Sequence, residues 1–342
     1  MNRSLIVHRA GQGMTIQDLG RLGYLEYGLS RGGAVDHLAI AEGAALLGQG
    51  RCRATLEMAG MGGEFEASED MRIALTGAPM RASVDGERVV WNASHALPKG
   101  ARLSIGGAVA GVYGYLHVGG GLETTAKLGA RSAHLAAGLG SPVLAGDSLP
   151  VGPDQGVCQI GMGLEPSQRF DGGLLRIVPS LQTEFFTPEQ IQHFETTEFR
   201  RDTRGNRMGV RLQTKGVGFQ SEAGLSVVSE VIVPGDVQVT GDGAPFVLLS
   251  ECQTTGGYPR IGTVLPADLA RVAQARAGAV LQFKFVSLED AVEIESRERK
   301  KLKNLRQTIQ PLIRDPRKIP NLLSYQLISG VTAGDDLEKA LW

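Results

Sequence analysis

Apolar residues recur along most of this chain in short runs rich in Val, Ile, Leu and Thr, each cut off by glycine, a spacing that predicts strands rather than helices. Met71–Thr76 and Ala279–Phe285 read as buried strands. Ala82–Val84 and Arg88–Trp91 face each other across Asp85-Gly86, a dipeptide suited to the positive φ values of a tight hairpin turn. Helical spacing is confined to Val35–Leu47, where Leu38, Ala41 and Ala45 share a face, and to Pro188–Phe194 and Ala267–Ala275. The stretch from Leu103 to Leu122 carries no charged residue and has the length of a membrane span. Its glycines, clustered at Gly106-Gly107 and Gly119–Gly121, make it a poor helix and divide it into short strands.

Two similar blocks follow one another. Lys99–Ile105 parallels Ala277–Phe283, and the opening strand Leu5–Val7 parallels Leu175–Val178. An offset of well over a hundred residues predicts two copies of one β domain rather than a solenoid of short repeats. The expected fold is mainly β: a first domain over residues 1–168, a second over 169–295, and a helical C-terminal tail over 296–342. That tail is basic. Between Ser296 and Lys318 nine Lys or Arg face only Glu298 and Asp315, a local excess that reads as a solvated helix or as a docking arm for an acidic partner.

Composition narrows the function. With 342 residues, 42% hydrophobic and 21% charged, the chain can bury a sizeable core. A net charge of -1 argues against a nucleic-acid partner. Leu5–Val7 is too short for the apolar core of a signal peptide, so a cytoplasmic location without membrane association is expected. Cys52, Cys158 and Cys252 are far apart and read as free core thiols, and the six histidines show no metal-ligand spacing, so no metal is expected. Of these, His37 stands out because it adjoins a dense polar segment. Phosphate-binding and hydrolase motifs of the common kinds are absent, so any use of ATP comes by an uncommon route or through a partner.

Two polar, glycine-rich segments rise above this background: Thr15–Tyr24 continued through Gly28, Arg31, Gly32, Gly33 and Asp36, and Gln253–Arg260. Amide and hydroxyl groups beside paired glycines let a backbone approach a ligand closely, though the same residues also build tight turns. These words, with Asn206–Leu212, Ser229-Glu230, Val233–Gly235, Gln238-Val239 and Gly241–Gly243, resemble the family that includes the C-type subunit of 5-oxoprolinase, allophanate hydrolase subunit 2, urea-amidolyase-related proteins and half of the carboxyltransferase domain of urea carboxylase. The resemblance runs from about Leu5 to Glu295. Two words depart from the usual pattern: Gly205-Asn206, where Ser-Asp is expected, and Arg131–Leu135, where His134 replaces an expected Asp.

The resemblance implies two cyclophilin-like β-barrel domains. It also implies a role as the C subunit of an ATP-dependent 5-oxoprolinase, which cleaves 5-oxoproline to L-glutamate with a homologue of the B subunit, plus an A subunit of the LamB/YcsF type. The alternatives it implies are a carboxyltransferase subunit served by carboxybiotin on a separate carrier, or a non-catalytic regulator of a kinase inhibitor. Each enzymatic reading takes a small amide-like substrate and builds negative charge on its carbonyl oxygen. Preorganised donors are then the main catalytic lever. Arg207, Gln253, Thr254, Tyr258 and Glu230 are the candidate catalytic residues, and Gln17, Asp18, Arg21, Tyr24, Asp36, Thr255, Gly256 and Gly257 the candidate binding residues. Asp242 joins the carboxylates that would accept a proton or orient an arginine.

Overall fold

The computed structural model describes residues 3–156, 158–214, 216, 218–222 and 227–313. Among the described residues the protein is mainly β, with 36% strand and 19% helix. In the first half, a sheet ordered Ser148–Pro150, Ser4–Arg9, Glu64–Ala67, Arg102–Ala108, Met80–Val84, Glu87–Val89 shares a core with a second sheet. The second is ordered Thr15–Gln17, Thr55–Ala59, Tyr113–Val118, Met71–Gly77, Ala93–Leu97, Met162–Gly163, Gln310–Pro311. Leu5, Val7, Phe65 and Leu103 of one sheet pack against Leu56, Ile73, Leu116 and Val118 of the other, all fully buried. The hairpin forms as the sequence predicts: Asp85 and Gly86 take φ of 49° and 88°, and Val84 pairs with Glu87. The uncharged stretch becomes the two strands Arg102–Ala108 and Tyr113–Val118. No helix among the described residues is long and apolar enough to cross a membrane.

The second half closes into a barrel ordered Gly173–Val178, Arg260–Val264, Asp236–Val239, Pro245–Leu248, Gly209–Gln213, Phe199–Asn206, Val280–Phe285. Closure comes from parallel pairing of its first and last strands, with Leu175 opposite Phe283. The parallel drawn from sequence between Leu5–Val7 and Leu175–Val178 does not extend to pairing. In the first half the opening strand and Arg102–Ala108 are separated by Glu64–Ala67.

Among the described residues four α-helices complete the fold: α1 (His37–Leu47), α2 (Pro188–Thr196), α3 (Pro266–Gln274) and α4 (Leu288–Asn304). The first begins where Asp36 caps it, its Oδ1 accepting from Ala39 N at 3.0 Å. It can lie close on the sheet because Gly43 has no side chain: a Cβ there would come within 2.3 Å of the His117 ring. Phe194 of α2 plugs the barrel, stacking on Phe283 with centroids 4.7 Å apart. One core cluster runs without interruption from these barrel residues to Ala39, Ile40, Tyr113 and Tyr115, so the halves are fused through apolar contact. Helix α4 crosses residue 295 without a break, and the chain then returns to the first half, where Gly163 pairs with Gln310. The tail from residue 314 onward lies outside the described residues. Contrary to the expectation of core thiols, Cys52 is exposed and Cys158 half-buried; only Cys252 is buried.

Candidate functional site

The seam between the halves holds a dense group of buried charges. Arg169 sends Nε to Asp36 Oδ2 at 2.8 Å and clasps both oxygens of Glu42 at 2.9 and 2.8 Å. Gln274 of α3 adds a bond to the same Asp36 oxygen at 2.8 Å, and its carbonyl accepts from Val112 N and Tyr113 N. Asp36 is thus fully engaged as helix cap and anchor. Burial pushes the Glu42 carboxyl up, opposed by Arg169.

Arg207 bridges the seam a second time. It leaves the barrel between strands, donates Nε to Glu251 Oε1 at 2.7 Å and Nη2 to Gly33 O at 2.5 Å, and meets Glu57 with Nη1. Glu57 also takes bonds from Tyr115 OH at 2.7 Å and Val35 N at 3.0 Å. Burial acts to lower the Arg207 pKa, but Glu57 and Glu251 outweigh it and hold the group above its ordinary value. With three acceptors in place, Arg207 positions the Gly33–Val35 backbone.

That backbone ends a loop built from the first glycine-rich word. Gly20 and Gly33 sit at φ of 78° and 84° and press on one another: a Cβ on Gly33 would lie 2.6 Å from Gly20 N. Arg21 N donates to Arg31 O and Ala34 N to Asp18 O, both at 2.9 Å. The Asp18 carboxylate accepts from Gly20 N at 2.8 Å and Arg131 N at 2.6 Å. The tip then reaches the barrel, where Gly32 N donates to Ser250 O at 3.0 Å and the Cβ position of Gly28 lies 4.0 Å from Thr254 Oγ1. The two polar words therefore meet.

Behind their contact lies a group of buried polar atoms short of partners. Arg21, 2% exposed, donates Nη2 to Ser132 O at 2.5 Å, while its Nε and Nη1 have no partner among the described residues. The same holds for His134 Nδ1, Ser132 Oγ, Ser250 Oγ and Gln17 Oε1. Arg21 Nη1 and His134 Cδ2 flank Gly32, at 3.5 and 3.3 Å from its Cβ position. His134 Nε2 is bonded to Ser30 Oγ at 2.9 Å. Burial lowers the His134 pKa against the pull of Glu251 and with help from Arg21, which keeps the ring neutral near pH 7. Burial also lowers the Arg21 pKa, but an arginine stays cationic at any working pH. Each unmet buried donor costs about 1–3 kcal/mol, so an acceptor that met them would be bound strongly. Gly32 and Ser250 also border a cavity of about 360 Å³ whose other walls are largely apolar, among them Val35, Leu38, Leu249, Leu269 and Leu302. His37 and Arg31 line it too.

The structure does not bring every candidate to this place. Tyr24 packs beside Tyr27, with ring centroids 6.3 Å apart. Glu230 pairs with Arg260 and takes a bond from Gln182 Nε2 at 2.9 Å. Thr255 and Gly256 form a two-residue ladder with Glu230-Val231, where a Cβ on Gly256 would meet Gln238 Nε2 at 2.5 Å, and Gly257 O accepts from Val227 N at 2.8 Å. Gln253 and Tyr258 are exposed. Asp242 bonds Thr240 Oγ1 at 2.6 Å and pairs with Arg211. Sequence reasoning passed over Ser30, Ser132 and Ser250, and did not select His134. Glu57 and Glu251 were missed as well, although Glu57 is a lone carboxylate in the apolar run Leu56–Met58.

Residues 27–285 match the family model described as "Carboxyltransferase domain, subdomain A and B". The chain belongs to this family. Among carboxyltransferase-domain proteins it is 32% identical to the C subunit of 5-oxoprolinase from Haemophilus influenzae, covering 86% of this chain and 95% of that one. Identity to the C subunit of 5-oxoprolinase from Escherichia coli is also 32%, covering 84% and 93%. The urea amidolyase of Lachancea kluyveri is 26% identical over 82% of this chain and 17% of its own. Among solved structures, TTHA0988 superposes with a TM-score of 0.75 at 31% identity, covering 83% of this chain, which spans about half (56%) of TTHA0988. The K. lactis urea amidolyase shares the fold, with a TM-score of 0.79 at 21% identity over 92% of this chain and 21% of its own.

Proposed function

We propose that this chain is the C subunit of an ATP-dependent 5-oxoprolinase, turning over 5-oxoproline to L-glutamate only with A and B subunits. The observation that supports this most is the pair of free N–H donors on buried Arg21, beside His134 and Ser132, where the two polar words meet. The lactam C–N bond is resonance-stabilised, and opening it builds negative charge on the carbonyl oxygen. Fixed donors aimed at that oxygen are worth roughly 3 kcal/mol each in a water-excluded site. Arg21 would supply them, the neutral His134 would move a proton through Nδ1, and Arg207 would hold the loop through Gly33 O. Identity to the C subunits of two 5-oxoprolinases, over nearly their whole length, favours a lactam.

The α-helix N-termini among the described residues offer the phosphates of ATP no open site. The N-termini of α1, α2 and α4 are closed by Asp36, Thr187 and Ser287, and α3 opens with Pro266 and carries Asp268 in its first turn. In this reading the nucleotide belongs to a partner. The seam cavity, apolar and larger than a five-membered lactam needs, favours a second reading in which the chain is a carboxyltransferase subunit whose cavity receives the ring of carboxybiotin. Reconstitution separates the two. Addition of A and B subunits should produce 5-oxoproline-dependent ADP release that this chain alone does not show. Turnover of urea that requires a biotinylated carrier, with none of 5-oxoproline, would replace the first reading with the second.

A further inference from the structure

Helix α4 is held to the body of the protein at a few points. Its Glu295 Oε1 accepts from Ala267 N at 2.8 Å, Ala291 is buried, and Glu298 and Leu302 line the seam cavity. Beside these contacts, between the helix and the barrel half, runs a groove of about 620 Å³, floored by Val178 and Leu265 of the barrel half and bordered by Ala291 and Glu295 themselves. The helix divides this groove into two chemistries. Leu288 and Val292, 69% and 62% exposed, line its first half, and Arg299, Lys300 and Lys303 line its second.

The charges on the helix are not treated alike. Arg297 and Lys301, outside the groove, pair with Glu293 at 3.8 Å and Glu298 at 2.7 Å. Arg299, Lys300 and Lys303, inside it, have no ion pair among the described residues. Glu295, which stands four residues before Arg299 and also lines the groove, is engaged by Ala267 N, and neither Lys300 nor Lys303 has a carboxylate three or four residues away. A solvated helix has no reason to sort its counter-ions this way, nor to leave two large aliphatic side chains uncovered beside an apolar floor.

We propose that this groove is a docking site for an acidic amphipathic segment of a protein partner. The segment would set aliphatic side chains against Leu288, Val292 and Val178, and carboxylates against Arg299, Lys300 and Lys303. At 1.5 Å per helical residue, Val292 and Arg299 are about 10 Å apart, so the partner's apolar and acidic groups are separated by about two helical turns. Charge complementarity supplies the encounter rate and the apolar end the affinity. A lipid surface fits less well, because the apolar residues lie along a groove between helix and barrel instead of projecting beyond their neighbours. The docking function read from sequence into the tail beyond Ser296 thereby moves to a surface that begins at Leu288 and needs the barrel as its floor.

The test uses the full chain and a fluorescently labelled helical peptide with leucines in its first turn and glutamates two turns on, a second peptide with lysines replacing the glutamates, and phosphatidylserine vesicles. Anisotropy should show saturable micromolar binding of the acidic peptide and none of the basic one. Combining Arg299→Glu, Lys300→Glu and Lys303→Glu should weaken the acidic peptide at least about tenfold and create binding of the basic one. Reversed charges near a helix C-terminus can fray it, so Val292→Asp, which leaves every cation in place, provides the second variant and should also cost about tenfold. Circular dichroism of each variant confirms that α4 persists. Failure of the acidic peptide to saturate, equal binding of both peptides, or binding to vesicles but not to the peptide would each overturn the proposal.

Discussion

Arg207, on the barrel half, meets the carboxylate of Glu57, which lies 150 residues earlier in the chain on the strand Thr55–Ala59 of the other half. Both groups are almost wholly withdrawn from water, with side chains 12% and 2% exposed. The pair therefore fixes the two halves in one orientation, and Glu251 and Gly33 O complete the clamp. An ion pair this deep is poor evidence of net stabilisation, but breaking it leaves an uncompensated charge.

Arg207→Lys keeps the charge and loses the fork that reaches three acceptors at once. Replacing at least one charge-assisted bond should cost about 2 kcal/mol, read as a lower urea midpoint with an unchanged slope. Activity of the assembled complex should fall alongside, since the Gly33–Val35 backbone loses its tether. A variant with wild-type stability would show that the clamp does not set the seam.

His117 gives the fold an acid sensitivity that can be isolated. It is buried under Gly43 and bonded to Thr76 Oγ1 at 2.8 Å, and burial lowers its pKa from 6.5 to about 3. Because the folded value is depressed, the unfolded chain takes up the proton first as pH falls. Stability is complete above pH 6.5 and declines by about 1.4 kcal/mol per unit down to about pH 3. His117→Asn should flatten the pH dependence of the unfolding free energy in that window while lowering its value at pH 7. Parallel curves for the two proteins would contradict this assignment.

Gly32 separates Arg21 from His134 at φ 62°, and a Cβ would lie 3.3 Å from the His134 ring. Gly32→Ala should cost about 1 kcal/mol in backbone strain. It should lower activity by much more than that fall in stability explains, because the added methyl enters the donor cluster itself. Unfolding midpoint and kcat/KM measured on the same preparation decide it; equal free-energy changes in both would mean the glycine serves only the turn.

Much of the fold was legible because it rests on short-range pattern. The apolar run from Val35 to Leu47 gave α1, although Leu38 and Ala45 are half-buried and the helix is buried on most sides through Ile40, Ala44 and Leu47, and Asp85-Gly86 gave its hairpin. The candidate site was legible only in part, for a physical reason. Sequence marks residues that are polar and glycine-rich together, and such words serve two ends. Gly20, Gly33 and Asp18 are spent on closing a loop, and Thr255 and Gly256 on a short ladder. Ser30 and Ser132 lie within marked words and Ser250 just ahead of one, but as ordinary turn residues they acquire meaning only when the seam closes over them. Glu57 could have been singled out, since a carboxylate in an apolar strand demands a buried cation. That the cation is Arg207 required the tertiary structure, and the role first assigned to Arg207, as a donor to substrate, gives way to one of positioning.

The central claim is that the free donors of Arg21 meet the substrate's carbonyl oxygen as charge develops on it. The direct measurement is 5-oxoproline-dependent ATP hydrolysis by this chain assembled with A and B subunits, comparing wild type with Arg21→Lys, alongside the thermal midpoint of each. The account predicts a loss of kcat of roughly 10² to 10³ with a nearly unchanged midpoint, as for removal of a single transition-state donor. Activity within about threefold of wild type, a barrier change under about 0.7 kcal/mol, would contradict it.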